Sequence, residues 1–282
     1  MPTKFVAEVS SNHNKDIERC LKFIDVSAKI GCKAVKFQLF KIDELFAPEI
    51  LERSKTHRDR KGWELPVEFL PHLYKRCKEK DIEFACTPFY LKAVEELFPY
   101  VSFYKIASYE ILWKDLLVEC ARTQKPVVLS TGMATLDEIK GAVDVLKTNG
   151  CKNLTLLHCV SSYPTKIDEC NLAFIKTLKD KFNCQVGWSD HSVSEAVILR
   201  AVHRWQAELI EFHLDIDGKG EEFSFRHCWL PEKIKQVIKY IKDGFLADGS
   251  GLKTLTDQEK EERNWRADPE DGLRPIKNYR DY

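Results

Sequence analysis

The 282-residue chain lacks a net charge, since lysine plus arginine and aspartate plus glutamate both count 44. With no long basic block, a nucleic-acid partner is not expected, and any anion must be caught by local groups. An apolar run near the roughly 20 residues that cross a bilayer is also missing, so no membrane partner is expected. Met1-Pro2-Thr3-Lys4-Phe5 passes straight into a strand pattern, and no secretory leader is expected. Disulfide-scaffold and zinc-ribbon spacings are absent too. The ten cysteines, Cys20, Cys32, Cys77, Cys86, Cys120 and Cys159 among them, are scattered through apolar or helical contexts. They read as reduced structural thiols in a cytoplasmic protein.

What is present is a repeat of strand and helix. Short β-branched or apolar runs at 5–9, 34–39, 82–86, 102–106, 127–129, 154–157, 186–188 and 209–212 alternate with helical spacing. The helices are expected near 16–30, 67–80, 91–98, 112–123, 136–147, 172–181, 195–205 and 231–241. Eight such units predict parallel strands closed into an α/β (β/α)8 TIM barrel, which typically needs about 250 residues. The expected organisation is a catalytic barrel over 1–247, followed by a C-terminal extension over 248–282 that is not an independent domain. Residues 41–64 form a long charged connection, read either as a lid over the site or as a solvated loop.

Polar residues gather at the C-terminal ends of the strands, which converge on one mouth in a barrel. Val186-Gly187-Trp188-Ser189-Asp190-His191 and Leu209-Ile210-Glu211-Phe212-His213 each end an apolar run on a histidine near a carboxylate. Matched positions on neighbouring strands nominate His191 and His213 as ligands of a divalent metal, with acidic neighbours to orient the rings or complete the shell. Lys36 and Lys105, with Thr87, Ser108 and Ser130-Thr131-Gly132, make a candidate phosphate cradle. Glu8, Glu110 and Glu211 add carboxylates suited to acid–base work or hydroxyl binding. Asn12-His13-Asn14 reads equally as part of a sugar site or as a turn. His158 with Cys159 offers a third metal ligand or a thiol nucleophile, against the commoner packed strand-end cysteine.

Taken in order, these motifs resemble the sialic acid synthase (N-acetylneuraminate synthase) family. The resemblance is carried by Ala7-Glu8-Val9, Val35-Lys36-Phe37-Gln38, Thr87-Pro88-Phe89, Lys105-Ile106-Ala107-Ser108-Tyr109-Glu110 and Leu129-Ser130-Thr131-Gly132-Met133. Leu157-His158-Cys159, Tyr163-Pro164-Thr165 and Ser189-Asp190-His191 continue it, and the likeness covers roughly residues 4–245. It implies a barrel that condenses phosphoenolpyruvate with an N-acylated amino-sugar aldehyde, giving a nine-carbon 2-keto acid and phosphate. It also implies a homodimer and a divalent cation, Mn2+ or Mg2+, held by His191 and His213.

By the same resemblance, Glu8, Lys36, Lys105, His191 and His213 are the catalytic candidates. Thr87, Ser108, Ser130, Tyr163 and Ser189 would bind phosphoenolpyruvate, and Gln38 and Glu110 would face the sugar. Ser161 stands where the family commonly has asparagine near the phosphate. Glu222, in a shortened loop after His213, is the candidate sugar-binding carboxylate. Many relatives carry a C-terminal antifreeze-like domain that lends an arginine across a dimer; none is expected here, and Arg274 and Arg280 of the tail are the candidate replacements. Rival readings are a different phosphoenolpyruvate-dependent keto-sugar-acid synthase, a Schiff-base lyase on Lys36 or Lys105, and a non-catalytic sugar or phosphate sensor.

Overall fold

The computed structural model describes residues 3–280. Eight parallel strands close into a barrel in chain order: β1 (Lys4–Glu8), β2 (Ala34–Leu39), β3 (Glu83–Pro88), β4 (Phe103–Ile106), β5 (Val127–Ser130), β6 (Leu154–Cys159), β7 (Gln185–Asp190) and β8 (Leu209–His213). The expected (β/α)8 architecture is therefore present. Local chemistry sets the helix ends. The Asp16 side chain accepts from the backbone of Glu18 and Arg19 to start Ile17–Ile30, and Gly31 ends that helix at φ 98°. Thr135 and Glu138 form a reciprocal cap at the start of Leu136–Thr148.

Side chains alternate between the barrel interior and the helix layer with a period of two. Val6, Ala34, Ala85, Phe103, Val128, Leu157 and Leu209 form a separate apolar cluster, one residue from every strand except β7. In β7 the matching position is Gly187, where an added Cβ would lie 2.1 Å from the Leu209 carbonyl oxygen and 2.7 Å from Leu157 Cδ2. Leu157 fills that space instead. Two residues further along each strand stand Glu8, Lys36, Thr87, Lys105, Ser130, Cys159, Ser189 and Glu211. A dry plug thus becomes a polar floor within one step of the pleat.

Residues 41–64 are not a structureless loop. They form short helices at Ile42–Leu45, Pro48–Arg53 and Lys55–Asp59 and a 3-10 turn at Arg60–Trp63. Ser54 caps the third by accepting from the His57 backbone, and Glu64 accepts from the Ile42 backbone at 2.7 Å. The chain divides into two compact units, the first ending at Lys242 and the second beginning at Asp243. Ile241 is the last buried residue of helix Pro231–Asp248. The second unit is compact in its own right, and within it Asp268 accepts from the Glu270 and Lys277 backbone while Arg280 pairs with Asp271. All ten cysteines are free thiols, and no helix among the described residues is long and apolar enough to cross a membrane.

Candidate active site

The mouth of the barrel opens into a cavity of about 760 Å3, within the range of small-molecule sites. Its floor is a buried charge network. Glu8 faces Lys36 across the β1–β2 register, and Lys36 Nζ lies 2.7 Å from Glu8 Oε2, 4.0 Å from Glu211 Oε1 and 3.1 Å from Thr87 Oγ1. Lys105 Nζ stands 3.6 Å from the same Glu211 oxygen, which also accepts from Ser189 at 3.3 Å. Gln38 donates to Glu8 at 2.6 Å and to Ser10 at 3.0 Å.

Burial disfavours the charged form of Lys36, but Glu211 and Glu8 outweigh it and raise its pKa. For Lys105 burial prevails over Glu211 and the pKa falls. Glu211 is desolvated as well, yet Lys105 and Lys36 hold its carboxyl below the ordinary value.

Beside the network lies an unsatisfied pocket. Ser130 Oγ, Ser161 Oγ and Glu110 Oε2 are buried without a hydrogen-bond partner among the described residues. Gly132 donates its backbone N–H to Ser108 Oγ at 3.0 Å, and Ser108 contacts Cys159 Sγ at 3.2 Å. A Cβ on Gly132 would fall 2.3 Å from Ser161 Oγ and 2.9 Å from Ser108 Oγ, so the backbone packs directly against these hydroxyls. Buried polar atoms left open in this way are normally completed by a ligand or water. Burial pushes Glu110 up to about 7, against the pull of Lys105.

The other wall carries three histidines. His191 Nδ1 is 2.7 Å from the Val160 carbonyl, which leaves Nε2 with its lone pair, and the ring packs 4.2 Å from Tyr163. Burial, then His213, lowers the His191 pKa to about 3. His213 lies 5.5 Å from His191 and 4.6 Å from His227, centroid to centroid. Its Nδ1 is 3.2 Å from Glu222 Oε2; burial lowers its pKa, but the hydrogen bond and the charges of Glu222 and Glu8 together outweigh burial and raise it. Glu222 Oε2 also meets His227 Nε2 at 3.3 Å, while Oε1 accepts from Ser10 at 2.5 Å. Two imidazoles with free lone pairs on neighbouring strands suit a borderline divalent cation, and so does the carboxylate–imidazole group around Glu222. His213 belongs to both.

Most of the residues nominated from sequence line this cavity, namely Glu8, Lys36, Gln38, Lys105, Ser108, Glu110, Ser130, Tyr163, Ser189, His191, His213 and Glu222. Thr87 is fully buried beneath Lys36 and does not line it, and Ser161 reaches only the Gly132 edge. Asp190, expected to orient a histidine, instead accepts from the Trp188 and Trp229 indoles at 3.0 and 2.9 Å. Val160 orients His191 in its place. His158 points outward, 2.9 Å from the Cys170 carbonyl and packed on Phe174 and Trp188, because it alternates with the inward Cys159. Asn12 and His13 are buried and do not line the cavity.

The cavity also takes in Ser10 and His227, which sequence reading passed over, and, from the 41–64 segment read as a lid or a solvated loop, Phe46, His57, Arg60 and Trp63. The guanidinium of Arg60 lies over Phe46 and Trp63, and its buried Nε lacks a hydrogen-bond partner among the described residues. Ser10 had one signal, its place two residues beyond Glu8. His227 had none beyond its pairing with Cys228.

The NeuB family profile matches residues 23–253. The chain belongs to the NeuB family. An uncharacterised protein of Methanocaldococcus jannaschii is 36% identical over 261 residues, 92% of this chain and 76% of its own length. The N,N'-diacetyllegionaminic acid synthase of Campylobacter jejuni is 34% identical over 275 residues, 93% of this chain and 82% of its own. The crystal structure of N-acetylneuraminic acid synthetase from Leptospira borgpetersenii, in complex with citrate, superposes with a TM-score of 0.81 at 31% identity. That match covers 94% of this chain and 92% of the other. This NeuB-family chain is a sialic acid synthase-like enzyme.

Proposed function

We propose that the enzyme condenses phosphoenolpyruvate with an N-acylated amino-sugar aldehyde, N-acetylmannosamine-like, to a sialic-type nine-carbon 2-keto acid and phosphate. The observation that carries this reading is the pairing of two buried lysines with an unsatisfied hydroxyl cradle at the same end of the barrel. Lys36 and Lys105 hold the phosphoryl group, with Ser108, Ser130 and Ser161 donating to its oxygens around the Gly132 backbone. Ser189 positions Glu211 between the lysines, and Thr87 fixes Lys36 from below. Gln38, Glu110 and Tyr163 face the aldehyde sugar, and Arg60 with Trp63 covers the outer half.

The reaction balances in two parts. The enol carbon attacks the aldehyde carbon and forms the new carbon–carbon bond; the aldehyde oxygen takes a proton. Water then adds at the carbon that bore the phosphate, and cleavage of its carbon–oxygen bond releases phosphate. Glu8, braced by Lys36 and Gln38, is the group placed to take the proton from that water.

Two lysines face two carboxylates on the floor, so the network is already near neutral before an anionic substrate enters. Additional positive charge is therefore needed. A divalent cation, Mn2+ or Mg2+, supplies Lewis acidity toward the aldehyde oxygen when bound. His213 would hold it, either with His191, as the resemblance implies, or with the carboxylate and imidazole of the following loop.

The test is phosphate release from phosphoenolpyruvate with manganese across N-acetylmannosamine and related amino-sugar aldehydes, the product identified by mass. Release that depends on the sugar and yields the summed keto acid is expected. Turnover of an unrelated aldehyde alone would move the enzyme to a different keto-sugar-acid synthesis, and failure to bind phosphoenolpyruvate at all would sink the proposal.

A further inference from the structure

The 41–64 segment brings a cation to the cavity without a counter-ion. Arg60 lines the cavity, half-buried, with its guanidinium 5.7 Å from the centre of the Phe46 ring and 5.3 Å from that of Trp63. Its Nε is buried with no hydrogen-bond partner among the described residues. Carboxylates of the same segment are engaged elsewhere: Asp43 with Lys61 at 3.3 Å, Glu44 with Lys41 at 3.5 Å, Asp59 with Lys55 at 2.7 Å, and Glu64 with the Ile42 backbone N–H at 2.7 Å. Glu49 and Glu52 are exposed. The carboxylates of the cavity are committed as well. Glu8 pairs with Lys36, Glu211 with Lys105, and Glu222 with His213 and His227, while the charges acting on Glu110 are those of Lys105 and Lys36.

A guanidinium laid against aromatic faces keeps its five N–H donors in one plane and offers them at its edge. Holding that charge out of water without a partner is costly, and the group that fits it is an oxyanion bound edge-on. The shelf beneath it is braced. His57 packs edge-on against Phe46 at 4.7 Å between centroids, and its Nδ1 meets Ser54 Oγ at 2.6 Å. Phe46 and Trp63 belong to the connection after β2, whereas the lysines and hydroxyls assigned to the phosphoryl group stand at the strand ends. The cavity thus has two anion-binding places, one on the floor and one on this connection.

We propose that the acceptor aldehyde carries an oxyanion, phosphate or carboxylate, at the end remote from its reacting carbon, and that Arg60 on its aromatic shelf binds it. This rests on the condensation reading above and names the class of its acceptor. Phosphoenolpyruvate fills the floor, the aldehyde carbon lies next to it, and the far end of the sugar chain reaches Arg60. Trp63 and Phe46 then cover the apolar face of that chain.

The experiment is calorimetric titration of the full chain, with phosphoenolpyruvate present, using reduced sugars that bind but cannot condense: N-acetylmannosaminitol, its 6-phosphate and its 6-carboxylate analogue. At least one anionic sugar should bind about 10-fold or more tighter than the neutral one, and the larger gain identifies phosphate or carboxylate as the natural group. Arg60→Met should abolish that advantage while leaving the Kd of the neutral sugar within about 3-fold, and Arg60→Lys should keep part of it. Circular dichroism checks that each variant is folded, and Arg60→Gln replaces Arg60→Met if that chain is not. Equal binding of all three sugars to the wild type, or binding of none, overturns the proposal. So does an anion advantage that persists in Arg60→Met, which assigns it to the lysine floor. Binding of phosphoenolpyruvate without sugar is measured separately; its failure sinks the condensation reading and leaves the comparison of sugars standing.

Discussion

The two halves of the mouth are built by different means. The strand-borne half, from Glu8 round to Glu211, stands on the barrel itself, each side chain one pleat above an apolar partner. Its charges are opposed within the barrel, lysine against glutamate, and little of it can move without disturbing the plug beneath. The loop-borne half, Glu222, His227 and Cys228, hangs on one segment pinned by Asn12 and Arg19. Ser10 joins the halves, accepting from Gln38 on one side and donating to Glu222 on the other. Sites on strands gain rigidity, whereas loops allow new donor sets on an old frame. The proposed function accordingly assigns phosphate binding to the first half and contacts to the sugar to the second.

The sharpest way to break this comparison is at Lys36. Lys36→Met strands Glu8 and leaves Glu211 with Lys105 alone, so thermal or denaturant unfolding should show a loss of about 3–5 kcal/mol, as for a broken buried ion pair. Turnover should fall about a hundred- to a thousand-fold in steady-state assays. A fully active, equally stable variant would contradict the shared-charge floor.

Glu110 comes next. Its pKa is raised from 4.5 to about 7, chiefly by burial, so the folded state holds the proton more tightly than the unfolded one. Stability should fall as pH rises from about 4.5 towards 7, by up to about 3 kcal/mol, and stay level on either side. Glu110→Gln should flatten that slope in urea titrations run across the range.

Gly132→Ala should affect binding more than folding. Its methyl group meets Ser161 and Ser108, so the KM for phosphoenolpyruvate should rise about 10-fold, or about 1.4 kcal/mol, with kcat changed less. An unchanged KM would remove the hydroxyls from the phosphate site. Comparable in size is Ser10→Ala, which cuts the link between the halves; urea unfolding should show a loss of about 1.5 kcal/mol, as for a hydrogen bond to a carboxylate.

The strand half was legible because its rule is periodic: an apolar residue followed two positions later by a polar one marks both the strand and its inward face. That placed Glu8, Lys36, Lys105, Ser130 and Ser189 at the mouth, and the same rule applied more strictly would have turned His158 outward. Residues 214–229 have no period. Glu222 was visible as a carboxylate, but its neighbour Ser10 lies in a segment that only the closed barrel brings near, and His227 sits in the same unpatterned loop. The helices within 42–63 run to four to six residues each, too few turns to show an apolar stripe, so the charged surface of that segment dominated the reading. Asp190 was misassigned because proximity in sequence to His191 says nothing of face; it lies on the side of Trp188 and Trp229.

The most direct measurement of the central claim uses phosphoenolpyruvate carrying a heavy-oxygen label in the bridge between carbon and phosphorus. In single turnover with cation and an N-acylated amino-sugar aldehyde, the account predicts that the label leaves entirely in the phosphate, and only when the aldehyde is present. Label retained in the keto acid, or phosphate released at the same rate without an aldehyde, would contradict carbon–carbon bond formation followed by carbon–oxygen cleavage at this mouth.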